Sequence, residues 1–63
     1  MDDCEELASR LLTLAGAIME DASAVAIIGD GGMALSERAV AVSSAAADAE
    51  ILAHAAAIAL RRR

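Results

Sequence analysis

The stretch AVAIIGDGGMAL, residues 24–35, decides the fold of this chain because it permits two different structures. The apolar run from Ala24 to Ile28 could be a buried strand that leads through a glycine turn into a helix. Alternatively, it ends one helix, and the glycines connect that helix to a second one. The choice depends on whether the hydrophobic period of the preceding residues continues into this stretch.

The residues before this stretch have the period of an amphipathic helix. At 100° per residue, the apolar side chains from Asp3 onward fall within an arc about 160° wide. The arc contains Cys4, Leu7, Ala8, Leu11, Leu12, Leu14, Ala15, Ile18, Met19, Ala22, Val25 and Ala26. Val25 and Ala26 therefore keep the phase that Leu7 starts. The pattern predicts that residues 24–28 end a helix.

Polar residues at the start of this helix suit its first turn. Asp2 or Asp3 can cap the helix, with Glu5 or Glu6 three residues later as in a capping box. Glu6 and Arg10 are four residues apart and form a favourable pair on a helix surface. These features support a helix that begins at about residue 3.

The glycine turn gives the other helix boundaries. Gly29 stands where a helix commonly ends with a glycine. Ser36 is the better cap for the second helix, because Leu35 before it and Val40 after it suit a hydrophobic staple, while Asp30 is the alternative. The chain is thus predicted to be a single helical hairpin, with helix 1 at about 3–28, the turn at about 29–35 and helix 2 at about 36–61.

The second helix carries two apolar stripes. A broad arc, interrupted by Arg38, consists of Leu35, Ala41, Val42, Ala45, Ala46, Ala49, Leu52, Ala53, Ala56, Ala59 and Leu60. On roughly the opposite side lies a narrow stripe of Val40, Ala47, Ile51 and Ile58. A helix with two apolar stripes contacts two neighbours, of which the hairpin supplies one. The narrow stripe is therefore predicted to contact another chain, unless its members are isolated surface aliphatics, which are common.

Composition favours the same architecture. The 63 residues include eighteen alanines, no proline and no aromatic residue, which favours an all-α fold. A chain of this length is near the lower limit for a self-sufficient core. Ordering costs about 1.5 kcal/mol per residue, and alanine faces bury little area. We therefore predict a homo-oligomer, most simply a homodimer in which two antiparallel hairpins form a four-helix bundle.

The charges argue against a nucleic-acid partner. The net charge is −5, and the sequence contains neither lysine nor an aromatic side chain on which a base could stack. The terminal arginines of residues 61–63 would lie beside the acidic residues 2–6 in an antiparallel hairpin. These arginines also suit a helix C-terminus, and the acids suit a helix N-terminus. Orientation of the helices is therefore the expected role of the arginines.

The cysteine content and the hydropathy suggest a cytoplasmic protein. Cys4 is the single cysteine, so no internal disulfide can form, which favours a reducing compartment. The sequence predicts that Cys4 is a buried small hydrophobe. The longest segment without a charge, residues 51–60, is about half the length that a membrane-spanning helix needs. No membrane association is expected.

Two motifs could bear chemistry. The segment VAIIGDGG, residues 25–32, resembles the Gly-Asp-Gly segment of thiamine-diphosphate enzymes. That resemblance implies that Asp30 coordinates the metal that holds the diphosphate. The family pattern continues with an asparagine about two dozen residues later, and this sequence contains no asparagine. Separately, Glu50 and His54 have the spacing of two metal ligands on one helix face, and two such pairs across a twofold axis could bind zinc.

The sequence favours a non-enzymatic function without a cofactor or a bound metal. The first hypothesis is a small interaction module (an adaptor, regulator or chaperone-like subunit) that associates with itself or with a heterologous protein through Val40, Ala47, Ile51 and Ile58. The alternative is an acidic decoy or inhibitor of a basic or nucleic-acid-binding protein. Its acidic side would comprise Asp2, Asp3, Glu5, Glu6, Glu20 and Asp21. A third hypothesis is an enzyme fragment centred on Asp30.

Overall fold

The computed structural model describes residues 2–29 and 31–62, which form two α-helices joined by a short turn. Helix α1 spans Asp3–Ile27 and helix α2 spans Leu35–Arg62. They pack together as a hairpin with dimensions of 46 × 15 × 10 Å. The predicted all-α hairpin is confirmed. Since residues 24–27 belong to α1, the strand interpretation of the opening stretch is wrong.

The start of α1 uses one of the two predicted caps. Asp2 is the N-cap, and its Oδ1 accepts a hydrogen bond of 2.7 Å from the backbone N–H of Glu5. This satisfies one of the amide groups that have no partner within the helix. Glu6 accepts a hydrogen bond of 2.8 Å from Arg10, so the predicted pair is present on the surface.

The end of α1 depends on Gly29. Its φ is +77°, in the left-handed region, and its N–H donates to the carbonyl of Val25 at 3.0 Å. A single bond of this kind, from the residue after the C-cap to a carbonyl four residues earlier, ends many helices. The predicted role of Gly29 is confirmed. Because φ is positive, any residue with a side chain is strained here.

Helix α2 begins one residue before Ser36. The carbonyl of Ala34 accepts the first helical bond, at 3.0 Å, from the N–H of Arg38. The prediction that Ser36 caps α2 is therefore wrong, and the alternative cap Asp30 lies outside the described residues. Beginning the helix at Leu35 places Arg38 in the first turn, close to the end of α1. The contacts of Arg38, described below, account for this start.

The contact between the helices repeats every seven residues and is made of small side chains. In the described part of the chain, the buried hydrophobic residues are four alanines: Ala8 and Ala15 of α1, and Ala49 and Ala56 of α2. Partly buried residues adjoin them at the same spacing, namely Cys4, Leu11, Ile18 and Val25 on α1 and Arg38, Ala45, Leu52 and Ala59 on α2. We call these twelve positions the inner seam. A repeat of seven is typical of helices that pack lengthwise.

The alanines make the inner seam narrower than the sequence predicted. Leu7, Leu12, Leu14 and Met19 belong to the predicted core arc of α1, but each is 50–56% exposed. A methyl side chain lets two helices approach closely while it covers little of either helix. Leucines beside the alanines therefore remain in solvent. Cys4, predicted to be buried, is also only partly covered.

Candidate interaction surface

Arg38 fixes how the two helices align. Its Nε donates to the carbonyl of Val25 at 3.2 Å, and its Nη2 donates to the carbonyl of Ala26 at 2.6 Å. These carbonyls belong to the last turn of α1, where a positive charge is favoured, and the Val25 carbonyl also accepts the hydrogen bond from the Gly29 N–H. A Cβ at Gly29 would lie 3.2 Å from the Arg38 Nε, so that glycine also leaves space for the guanidinium.

Counting from the contact between Arg38 and Val25 gives the approximate level of the other residue pairs along the two helices. Because both helices rise by the same distance per residue, moving a given number of residues forward along one helix and backward along its antiparallel neighbour reaches the same level. Steps of seven residues from this contact place Ile18 level with Ala45 and Leu11 level with Leu52. A further step places Cys4 level with Ala59 near the open end of the hairpin. At this register, the large side chains of the inner seam lie level either with one another or with alanines.

Much apolar surface stays outside this contact. Ten large apolar side chains of the described residues are 38–81% exposed: Leu7, Leu12, Leu14, Met19, Ile27, Ile28, Leu35, Val40, Ile51 and Ile58. The accessible surface of the hairpin is 4539 Å². A compact protein of this mass exposes about 3,800 Å². The excess, about 700 Å², is close to the roughly 800 Å² that each partner buries in a standard protein interface.

The residues predicted from sequence to contact a partner lie on the outer surface of α2. Val40 is 70% exposed, Ile51 is 66% exposed and Ile58 is 38% exposed, while Ala47 also lies in solvent. Ala47 and Ile51 stand two residues before and after the buried Ala49. Two residues correspond to 200° around a helix, so both face about 160° away from Ala49 and from α1.

This surface has a repeat of its own, which extends beyond the predicted residues. Successive steps of three and four residues select Glu37, Val40, Ser44, Ala47, Ile51, His54, Ile58 and Arg61, all of which are exposed. We call these eight residues the outer seam. Alternating steps of three and four define the stripe along which two helices pack lengthwise. The outer seam therefore has the spacing of a helix–helix contact without a second helix in the hairpin.

Two further apolar areas flank the inner seam on either side of the hairpin. Leu7 and Leu14 each precede a buried alanine and lie on one side. Leu12 and Met19 each follow a buried alanine by four residues and lie on the other side. All four belong to the predicted apolar arc of α1, because helical periodicity gives the direction of a side chain but not the width of the contact. Their exposure follows from the alanines in the neighbouring helix.

The described structure does not assemble a metal site from the candidate ligands that the sequence suggested. Glu50 and His54 are both exposed on α2, and no group of three or more potential metal ligands occurs in residues 2–29 and 31–62. Asp30, which the resemblance to thiamine-diphosphate enzymes would make a metal ligand, lies outside the described residues. The segment before it is helical through Ile27, whereas that resemblance requires a strand.

Neither α1 nor α2, as far as the structure describes them, has an apolar stretch long enough to cross a membrane.

Comparisons with known proteins give no family for the chain. No protein-family model, no curated protein and no solved structure matches this sequence.

Proposed function

We propose that this protein is a small, non-enzymatic interaction module that acts by self-association. The observation that supports the proposal is the contrast between a core of buried alanines and exposed large side chains on both helices. Burying a large aliphatic side chain contributes roughly 1.5–3 kcal/mol. A second chain that covers these side chains adds burial that the hairpin lacks.

Val40, Ala47, Ile51 and Ile58 are the proposed contact residues. They lie along one stripe on α2, with Ser44 and His54 between them, on the surface that faces away from α1. The simplest product is a homodimer of hairpins, a four-helix assembly. An adaptor or chaperone-like role then follows if a helix of another protein occupies the same stripe, since an amphipathic helix is a common ligand of such a surface.

Light scattering coupled to size-exclusion chromatography tests the proposal. The wild type is expected to elute as a dimer at micromolar concentration. Ile51→Glu places a charge in the middle of the stripe, and we expect it to shift the population to monomer. Ile27→Glu is the matched control, because Ile27 is 77% exposed on α1 and lies outside the stripe. We expect Ile27→Glu to remain dimeric.

A monomeric wild type at all accessible concentrations, with no partner retained from its host by the wild type and lost by Ile51→Glu, would contradict the proposal. The acidic-decoy alternative predicts a different result. In that case binding to a basic protein falls steeply with salt and is unaffected by Ile51→Glu, because screening acts on exposed charges and not on aliphatic contacts.

A further inference from the structure

The outer seam of one copy is complementary to the outer seam of a second copy that runs in the opposite direction. Pairing positions whose numbers add to 98 places Val40 opposite Ile58 of the partner, and Ala47 opposite Ile51 of the partner. The same pairing places Glu37 opposite the partner's Arg61, and Ser44 opposite the partner's His54. Apolar residues meet apolar residues, and the charged ends meet opposite charges.

We propose that the second copy docks along the outer seam, with the two α2 helices antiparallel and a twofold axis level with Ala49. This inference rests on the proposed function and specifies its geometry. All eight residues of the seam are exposed in the hairpin, so the docking requires no rearrangement. The apolar pairs supply burial, and the Glu37–Arg61 pairs favour the antiparallel direction. In the parallel direction, each of these two residues would meet a like charge.

The register follows from the spacing of the large side chains. In an antiparallel contact, the residue at the first seam position of one helix meets the residue at the second seam position of the other. Ile51 is thereby opposite Ala47 of the partner, so a large side chain meets a small one near the axis. Ile58 meets the smaller aliphatic side chain of Val40 toward each end. A shift by one repeat would place Val40 opposite Ile51 and leave Ile58 beyond the pairing.

The dimer that results has a distinct shape. The inner and outer seams lie about 160° apart around α2, because their residues differ by two positions along the helix. The four helices therefore lie in a row, with the two α2 helices in the centre and an α1 helix at each edge. This layer differs from a closed four-helix bundle, in which one side of the hairpin, such as the side with the exposed Leu12 and Met19, would face the partner.

Two acidic residues near the axis limit the affinity. Asp48 and Glu50 flank the outer seam on either side, and each faces its own counterpart in the partner. Like charges that face each other across the contact oppose the association. The two copies of His54, in contrast, are ten residues apart along the axis, or about 15 Å. A zinc site shared by the Glu50 and His54 pairs of both chains is therefore incompatible with this dimer.

Disulfide trapping tests the register in a background in which Cys4→Ala removes the native thiol. Val40→Cys and Ile58→Cys are prepared as separate single variants and then mixed under mild oxidation. The expected product is a covalent heterodimer in the mixture, seen on a non-reducing gel, with little covalent dimer in either variant alone. In the proposed register, the two copies of position 40 are eighteen residues apart, or about 27 Å, well beyond disulfide reach.

Mixing Val40→Cys with Ile51→Cys is the matched control, since these positions are seven residues out of register. A second pair, Ser44→Cys with His54→Cys, keeps every aliphatic side chain of the seam and covers the case in which the first pair folds poorly. Circular dichroism of each variant verifies helicity. Cross-linking of the Val40→Cys variant to itself at the rate of the mixture would overturn the antiparallel register.

The result separates this inference from the proposed function. Failure of both complementary pairs to cross-link, in a wild type that is dimeric by light scattering, overturns the outer-seam dimer and leaves self-association intact. In that case, Leu12→Glu is expected to dissociate the dimer through the side of the hairpin. A wild type that is monomeric at all concentrations overturns this inference, and it also contradicts the proposed function when no partner is retained from the host.

Discussion

The two seams of α2 have the same seven-residue repeat but differ in side-chain size and exposure. The inner seam buries Ala49 and Ala56, whereas the outer seam exposes Ile51 and Ile58 two residues farther along. One seam therefore lets helices approach closely, and the other offers aliphatic surface. The difference shows that the fully buried positions described in this hairpin hold small side chains. Hydrophobicity alone would have buried the isoleucines.

The largest expected effect comes from a comparison in which the same leucine side chain is introduced into each seam in turn. Ala56 is 1% exposed, so Ala56→Leu forces a larger side chain between the helices and should lower the free energy of unfolding by about 1–3 kcal/mol. Ala47→Leu is the same change on the same helix at the outer seam, where it should leave the hairpin intact. Thermal unfolding followed by circular dichroism compares the two. Equal losses would remove the distinction between the seams.

Arg38 is the charged member of the inner seam, and its contribution to stability can be measured separately from that of the alanines. Arg38→Met keeps an unbranched chain but removes both hydrogen bonds to the end of α1, at an expected cost of about 1–2 kcal/mol. Arg10→Met is the control, because the exposed Glu6–Arg10 pair contributes only about 0.2–0.5 kcal/mol. Urea unfolding gives both values. A loss in Arg38→Met no larger than in the control would show that the α1 carbonyls do not need the guanidinium.

The smallest effect concerns the acids beside the outer seam. Replacing Asp48 and Glu50 together by alanine removes like-charge pairs that each oppose dimerisation by about 0.2–0.5 kcal/mol. The dimer should tighten by about two- to fivefold, as measured by analytical ultracentrifugation. Glu20→Ala removes a charge from α1, away from the outer seam, and should change the dissociation constant little. Weaker association of the double variant would place the partner elsewhere.

The sequence predicted the elements of the fold well, because helical period and turn chemistry are local properties. Leu7, Val25 and Ala26 share one phase, and Gly29 follows them, so residues 24–35 correctly predict a hairpin of two helices joined by a turn. The structure then assigned Val25 to the inner seam and Leu7 to solvent. That separation depends on the side chains of the opposite helix. Periodicity within α1 contains no information about them.

The role of Arg38 was not predictable in the same way. In the pattern of α2 it only interrupts an apolar arc, which is what any exposed residue would do. Its acceptors are the carbonyls of Val25 and Ala26, twelve or thirteen residues earlier and on the other helix. Backbone carbonyls have no sequence signature. The start of α2 before Ser36, which puts Arg38 in reach, was missed for the same reason.

The alanine core has a consequence for the alignment of the helices. Ala8 and Ala15 are identical residues one repeat apart, as are Ala49 and Ala56, so sliding one helix by seven residues would still place one of these alanines of α1 level with one of α2. Interdigitated large side chains would penalise that slip, but methyl groups scarcely distinguish the two arrangements. The choice between them is left to the short connection and to the guanidinium of Arg38. In this hairpin a polar contact at one end selects the native alignment of an apolar interior.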